Sequence, residues 1–178
     1  MKTKIFIVGI SEIDKLCLGQ QIVKDSDELS IVPYFITDDN YIEQYKYYID
    51  QQTINLSYKN NSLLYIHTNS EYSEGITLDD YDNNNIVCID IDKFNMISDK
   101  LLKNNDNILI IWLDKKNYKP LSKLEKIESE YFQERIDNFK IKYMYFLDED
   151  FSYISKVILN FLYSNDEEYK QTLLDENN

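Results

Sequence analysis

The chain of 178 residues contains no alanine, a single arginine (Arg135), a single histidine (His67), three glycines and two prolines. One histidine gives no ground for a Ser-His-Asp or Cys-His catalytic arrangement, and His67, at the end of a short apolar run, reads as structural rather than catalytic. Cysteine is equally scarce: Cys17 and Cys88 fall in apolar segments without metal-ligand spacing, and both read as reduced core residues. Long hydrophobic runs are missing too. The longest, Ile108-Leu-Ile-Ile-Trp112, is far short of the roughly 20 residues of a membrane helix. The N-terminus pairs basic residues with a short apolar run but lacks a small-residue cleavage site, so a strand is expected there rather than a signal peptide. The expected location is the cytoplasm.

Positive charge is in deficit, with 32 acidic against 19 basic residues and a net charge of −13. Such a surface repels phosphate backbones and argues against nonspecific nucleic-acid binding. No membrane partner is expected. A protein partner is permitted, either a basic one or a second copy. The last stretch, residues 166–178, is strongly acidic and is expected to fray.

What is abundant is tyrosine, 16 residues of it, together with Asn, Ile, Lys and Asp. The scarce residues have G/C-rich codons and the abundant ones A/T-rich codons, which points to an A/T-rich genome such as that of a virus, plasmid or parasite. A glycine or arginine that survives such pressure has more often been kept for a physical reason. With 43% hydrophobic residues the chain can still build a core, so global disorder is not expected.

The length fits one domain, expected over residues 1–165. Strands are expected at Lys4 to Ile10, Leu29 to Thr37, Ser62 to His67, Asn85 to Ile91, Ile108 to Asp114 and Tyr143 to Leu147. Pro33 argues that the second of these is an edge strand. Helices are expected over Glu12 to Lys24, with Ile13, Leu16, Cys17 and Val23 inward, and over Asp39 to Gln52, where Tyr41, Ile42, Tyr45, Tyr48 and Ile49 recur at helical spacing. Further helices are expected over Asp92 to Lys103, Leu121 to Phe139 and Phe151 to Tyr163. Buried strands alternating with helices indicate an α/β fold with a largely parallel sheet flanked by helices.

In such folds ligands gather at the carboxyl ends of strands. The first strand ends in Gly9-Ile-Ser-Glu-Ile-Asp-Lys-Leu16. A P-loop reads Gly, four residues, Gly-Lys, then Ser or Thr. Gly9 and Lys15 hold matching places, but Asp14 replaces the second glycine and Leu16 the magnesium-ligating hydroxyl. An ordinary strand-to-helix turn remains the alternative. A second strand, Ile86-Val-Cys-Ile-Asp-Ile-Asp92, ends in two carboxylates. Asp90 and Asp92 are expected on the same side, able to contact a metal or a ribose, or else to cap the next helix.

These segments together resemble the guanylate kinase family, a branch of the P-loop nucleoside-monophosphate kinases. Lys4-Ile-Phe-Ile-Val-Gly9 with Lys15 is similar to its opening strand and phosphate loop. Ser70-Glu-Tyr-Ser-Glu-Gly-Ile-Thr77 is similar to its monophosphate-holding Gly-Asn-Tyr-Tyr-Gly-Thr segment, with Tyr72, Gly75 and Thr77 at matching positions. Asn85 to Asp92 is similar to its Leu-Leu-Asp-Ile-Asp strand, and Ile108 to Asp114 to the strand before its lid. Glu128-Ser-Glu-Tyr-Phe-Gln-Glu-Arg-Ile136 resembles its lid helix, and Lys142 to Asp148 its closing strand. The resemblance implies nucleotide binding by Gly9, Lys15, Tyr72, Gly75, Thr77 and Asp90, and catalysis by Lys15 and Arg135. It implies Mg2+ at Asp90 and Asp92, with ATP as phosphoryl donor. Arg135 has a second reading, as a surface charge pairing with Glu128, Glu130 or Glu134.

The departures from the family are chemical. Where two arginines should clamp the monophosphate, this chain reads Ile36-Thr-Asp-Asp-Asn-Tyr41, and carboxylates repel a phosphate dianion. The lid arginines are replaced by Asp114-Lys-Lys-Asn-Tyr-Lys-Pro120. Losing one charge-stabilising donor costs about 3 kcal/mol of transition-state stabilisation, and several are missing here. The leading expectation is a pseudoenzyme: a guanylate kinase-like domain without catalysis or cofactor, acting through protein contacts as related domains do in membrane-associated scaffolds. The alternative is a working nucleotide or nucleoside kinase with divergent ligands. A receiver-like phosphoacceptor is disfavoured, because Gly9-Ile-Ser-Glu12 supplies no acidic pair after the first strand.

Overall fold

A computed structural model describes residues 3–10, 13–38, 40, 45–102, 107–115, 122–139 and 141–177. The chain divides into two compact units, residues 1–29 with 86–178 and residues 30–85. The fold is α/β.

The larger unit is built on a parallel sheet. Strands β1 (Lys4–Gly9), β6 (Ile86–Asp90), β7 (Ile108–Asp114) and β8 (Lys142–Leu147) are ordered β6-β1-β7-β8, all parallel. Every residue of β1 is buried, and β7 is buried along most of its length. These runs of β-branched and aromatic residues suit a sheet covered on both faces, where no strand needs a polar side. Helices α1 (Lys15–Asp25) and α6 (Phe151–Tyr163) pack on one another, as do α4 (Ile91–Leu102) and α5 (Lys123–Phe139).

Aromatic rings link the α4–α5 pair to the sheet. Phe6 of β1 meets Phe94 of α4, Phe94 meets Phe132 of α5, Phe132 meets Trp112 of β7, and Trp112 meets Tyr145 of β8. Each contact is edge-to-face, with centroids 5.0–5.4 Å apart. Such pairs add about 0.5–1.5 kcal/mol apiece beyond the area they bury. At the far end of the seam the Tyr145 hydroxyl donates to Asp114 Oδ2 at 2.9 Å.

The smaller unit holds a second, mixed sheet, of whose four strands the sequence indicated two. Strands β2 (Tyr34–Ile36), β3 (Lys46–Tyr48), β4 (Leu63–Thr68) and β5 (Ser73–Thr77) are ordered β3-β2-β5-β4. Only β2 and β3 run parallel. Helix α2 (Gln51–Lys59) and helix α3 (Leu78–Asn83) complete the unit, and Phe35, Ile54 and Leu63 form its core.

Several expectations are corrected here. The helix expected over Asp39 to Gln52 is not formed in its described part. Lys46–Tyr48 pairs with β2 as a strand, and α2 starts at Gln51, where Asp50 caps it by accepting from Thr53 N. Tyrosine fits a pleated surface at least as well as a helix, and pairing with β2 decides the matter. Tyr41, Ile42 and Asp39 lie outside the described residues. Pro33 precedes β2 rather than sitting within it, and β2 is flanked on both sides instead of lying at an edge.

The acidic tail forms helix α7 (Glu167–Glu176) rather than fraying. Asp166 caps it, Glu167 and Glu168 complement the positive end of the helix, and Leu173 and Leu174 are buried. The inward face of α1 is also different from the expected one: it carries Lys15, Leu18, Gly19 and Ile22, so Cys17 is exposed. Both cysteines are free thiols, and burial pushes that of Cys88 up to about 12.

The shortage of glycine shows in the backbone. No glycine has a positive φ, and left-handed positions are filled by Tyr45, Asn61 and Asp148. Asn and Asp tolerate that region at modest cost, whereas tyrosine does so rarely. Gly75 is retained for space: a Cβ there would lie 2.2 Å from Tyr65 O and 2.6 Å from the Phe35 ring. No described helix is long and apolar enough to cross a membrane.

Candidate functional site

The carboxyl ends of β1 and β6 adjoin, with Gly9 in register with Asp90. The structure therefore brings together Gly9, Lys15 and Asp90 in the larger unit. Gly9 permits close packing of the turn, since a Cβ would sit 3.1 Å from Leu113 O.

Lys15 is the first residue of α1 and lies on its inward face with Leu18 and Ile22, one and two turns further on. Its ammonium group has three donors, and three acceptors take them. Nζ donates to Ile10 O at 2.8 Å and to Ile13 O at 3.1 Å, and pairs with Asp90 Oδ1 at 2.8 Å. The Lys15 side chain is 8% exposed. Lys93 approaches the other oxygen, Oδ2, of Asp90 at 3.5 Å. The Asp90 carboxylate thus sits between two cations, and the Lys15 charge is spent inside the turn.

The positive end of α1 is closed in the same manner. Asp14 is its N-cap, with Oδ1 accepting from Cys17 N at 3.0 Å and Oδ2 accepting from the Cys17 thiol at 2.9 Å. A helix N-terminus is an anion site because its first amides lack intrahelical partners. Here the anion comes from the chain itself. The two bonds from Cys17 hold the Asp14 carboxyl below the usual carboxylate range, and the same contact raises the thiol above its ordinary value.

Asp90 is the last residue of β6, while Asp92 is the second residue of α4, so the strand alternation expected to align them does not reach Asp92. Both nevertheless line one cavity of about 150 Å³, with Ile10 and the start of α5. Among the described residues no cluster of three or more His, Cys, Asp or Glu is arranged to hold a metal ion.

Arg135 is placed on the α4–α5 pair. Its guanidinium binds Asp99 of α4 in a bidentate manner, donates to the Tyr131 hydroxyl and lies 4.3 Å from the centroid of the Tyr131 ring. The surface partner expected among Glu128, Glu130 and Glu134 is instead Asp99, one helix away. Asp99 follows Asp92 by about two turns, or roughly 10 Å along α4.

In the smaller unit the residues that the resemblance matches to a monophosphate-holding segment have local partners. Tyr72 closes the β4–β5 turn: its backbone N–H donates to Asn69 Oδ1 at 2.8 Å. Gly75 admits the Phe35 ring, as described above. Thr77 caps α3, its hydroxyl accepting from Asp80 N at 3.0 Å and donating to Asp80 Oδ2 at 2.6 Å. Tyr47 donates to the same Asp80 oxygen at 2.6 Å, and burial with that contact raises its phenol well above the usual range. Residues 116–120 and Asp39, which the resemblance matches to the family's lid and phosphate clamp, lie outside the described residues.

At the positions where the resemblance implies magnesium and ATP, the described polar groups have partners within the chain. Leu16 has no oxygen for a metal, Asp14 fills the first turn of α1, and Lys15 is saturated by two carbonyls and Asp90. The loop carbonyls that hold Lys15 left no mark in the sequence, since any residue type supplies them. The exposed faces of α4 and α5 were also missed. Their signal was present as Leu124, Ile127 and Tyr131 at helical spacing, offset from the inward Phe132 and Ile136.

No family model matches the chain, and no curated protein matches it. Among solved structures it is similar to the crystal structure of guanylate kinase from Anaplasma phagocytophilum. That match covers 90% of this chain and 84% of that one, at 12% identity and a TM-score of 0.49.

Proposed function

We propose that the chain is a guanylate kinase-like domain that no longer transfers phosphate and acts by holding a protein partner. One observation carries this reading: the lysine and the helix N-terminus that would receive a phosphate are both satisfied by the chain's own groups. Phosphoryl transfer relies on positioning and charge stabilisation, so a site whose cation is already neutralised has little to offer the transferring group. To bind a phosphate, Lys15 would have to leave Asp90 and two carbonyls, and Asp14 would have to leave the Cys17 amide. The 16 tyrosines support contact with a partner, because tyrosine supplies large contact area at low entropic cost.

The test is a coupled assay for ADP with purified protein, Mg2+-ATP and a panel of GMP, dGMP and other monophosphates or nucleosides. The expected outcome is no turnover above the ATP background. Turnover at ordinary kinase rates, about 1–100 per second, would overturn the reading in favour of a working kinase with divergent ligands.

A further inference from the structure

Four large apolar side chains stay in solvent on the α4–α5 pair. Met96 of α4 is 63% exposed, and Leu124, Ile127 and Tyr131 of α5 are 67%, 51% and 42% exposed. The last three stand at i, i+3 and i+7 on one face of α5, distinct from the face that buries Phe132 and Ile136. Single exposed apolar residues are ordinary, but a contiguous set calls for a partner.

The four line two adjoining hollows. The cavity at the end of β6 has Leu124 in its wall, and a second hollow of about 300 Å³ is bounded by Asn95, Met96, Ile127 and Tyr131. Asp92 and Glu128 belong to both, and Glu125 to the first. Among the described residues that line either hollow there is no Lys or Arg. Asp90 is neutralised by Lys15 and Lys93, but Asp92, Glu125 and Glu128 give the rim a negative character. Hydrogen bonds from the Ser122 side chain and then from its backbone N–H keep the Glu125 carboxyl below the usual range. Asn95 is 8% exposed and gives its amide hydrogens to Glu128, while its Oδ1 accepts no hydrogen bond.

The groove is also held in shape. Arg135 ties α5 to Asp99 of α4, and the Phe94–Phe132 contact lies between the two helices. A surface already ordered loses less entropy when it is occupied.

Resting on the reading above, we infer that the α4–α5 groove is the docking surface for a basic amphipathic helix of a partner protein. The apolar stripe from Leu124 to Tyr131 spans about 10 Å, the length of two turns of a partner helix. The acidic rim selects lysines or arginines beside that helix's apolar face. A second copy of the chain is disfavoured because each copy carries a net charge of −13. Nucleic acid is disfavoured for the same reason.

The test is a nuclear magnetic resonance titration of the full chain with a synthetic Leu/Lys amphipathic peptide of about 18 residues, long enough to hold a helix. A Leu/Glu peptide of the same pattern is the control. Amide shifts are expected to cluster over residues 92–99 and 124–131, to weaken with salt, and to be absent with the control. Affinity is expected to fall about ten-fold or more in the Met96→Gln, Ile127→Gln double variant, whose fold is checked by its melting curve. No shift at millimolar peptide, shifts elsewhere, or unchanged affinity in the double variant would overturn the inference. So would a wild-type dimer in sedimentation that the double variant abolishes, since that assigns the groove to a second copy. Binding elsewhere without nucleotide turnover removes the groove and leaves the protein-binding reading standing. Turnover of a nucleotide with the groove titration intact removes only the loss of catalysis.

Discussion

The head of α1 and the α4–α5 groove belong to the same compact unit, yet they treat their chemistry in opposite ways. At the head of α1 the charged groups are turned inward: Lys15 is held by Asp90 and two carbonyls, and Asp14 closes the helix end. In the groove, apolar side chains that could have joined the core remain in water beside carboxylates. A site that has satisfied its own polar groups has little left for a ligand. A surface that leaves apolar area exposed has hydrophobic free energy in reserve.

Mutations can break or sharpen this contrast. The largest effect is expected under the groove itself. Phe94→Ala removes a fully buried ring that touches Phe6 and Phe132, and should lower unfolding stability by about 3–5 kcal/mol in a urea titration. Next comes Lys15→Ala. It strands Asp90 and two carbonyls, though Lys93 remains near, and a loss of about 2–3 kcal/mol is expected. In a phosphate loop that served nucleotides, the same change would reduce ligand binding rather than the stability of the free protein.

Asp14→Ala should cost about 1 kcal/mol through the lost cap. Because the folded-state carboxyl is depressed by its bonds from Cys17, that contribution is present above the usual carboxylate range and fades as pH falls through the depressed value. The stability difference between wild type and Asp14→Ala should therefore shrink in acid, as read from denaturant midpoints across pH. Smallest of all, Met96→Gln with Ile127→Gln should change stability by less than about 0.5 kcal/mol each, although both are apolar. A larger loss would mean that these side chains serve the fold and not a partner.

The larger unit was readable because β1 and β7 are near-continuous apolar runs rich in β-branched residues and buried along most of their length, and its helices repeat apolar residues every three or four positions. Lys4 to Gly9, Ile108 to Asp114 and the α6 face of Ile154, Val157, Ile158 and Phe161 were all visible in this manner. The smaller unit was legible only in part: β2 and β4 coincide with the strands expected at Leu29 to Thr37 and Ser62 to His67, whereas β3 and β5 do not stand out. Lys46–Tyr48 is three residues long, and Ser73–Thr77 mixes Ser, Glu and Gly, so neither has a period to detect; each is a strand through its pairing with other strands. Of the candidate site, Gly9 with Lys15 and Asp90 were legible as two strand ends, and only the resemblance grouped them. The direction in which Lys15 points was not, because its partners include backbone oxygens. The value of glycine as a signal held only for space, at Gly9 and Gly75, since left-handed turns are made by Tyr45, Asn61 and Asp148.

The self-filled head of α1 is tested most directly by thermal unfolding of wild type and Lys15→Ala with millimolar Mg2+-ATP, Mg2+-GTP, GMP and dGMP. A ligand at about 100 times its Kd adds about 2.7 kcal/mol, which raises Tm by several degrees in a chain of this size. The expected result is no such rise in the wild type with any nucleotide, alongside a lower Tm for Lys15→Ala without ligand. A rise of several degrees in the wild type that is lost in Lys15→Ala would contradict it.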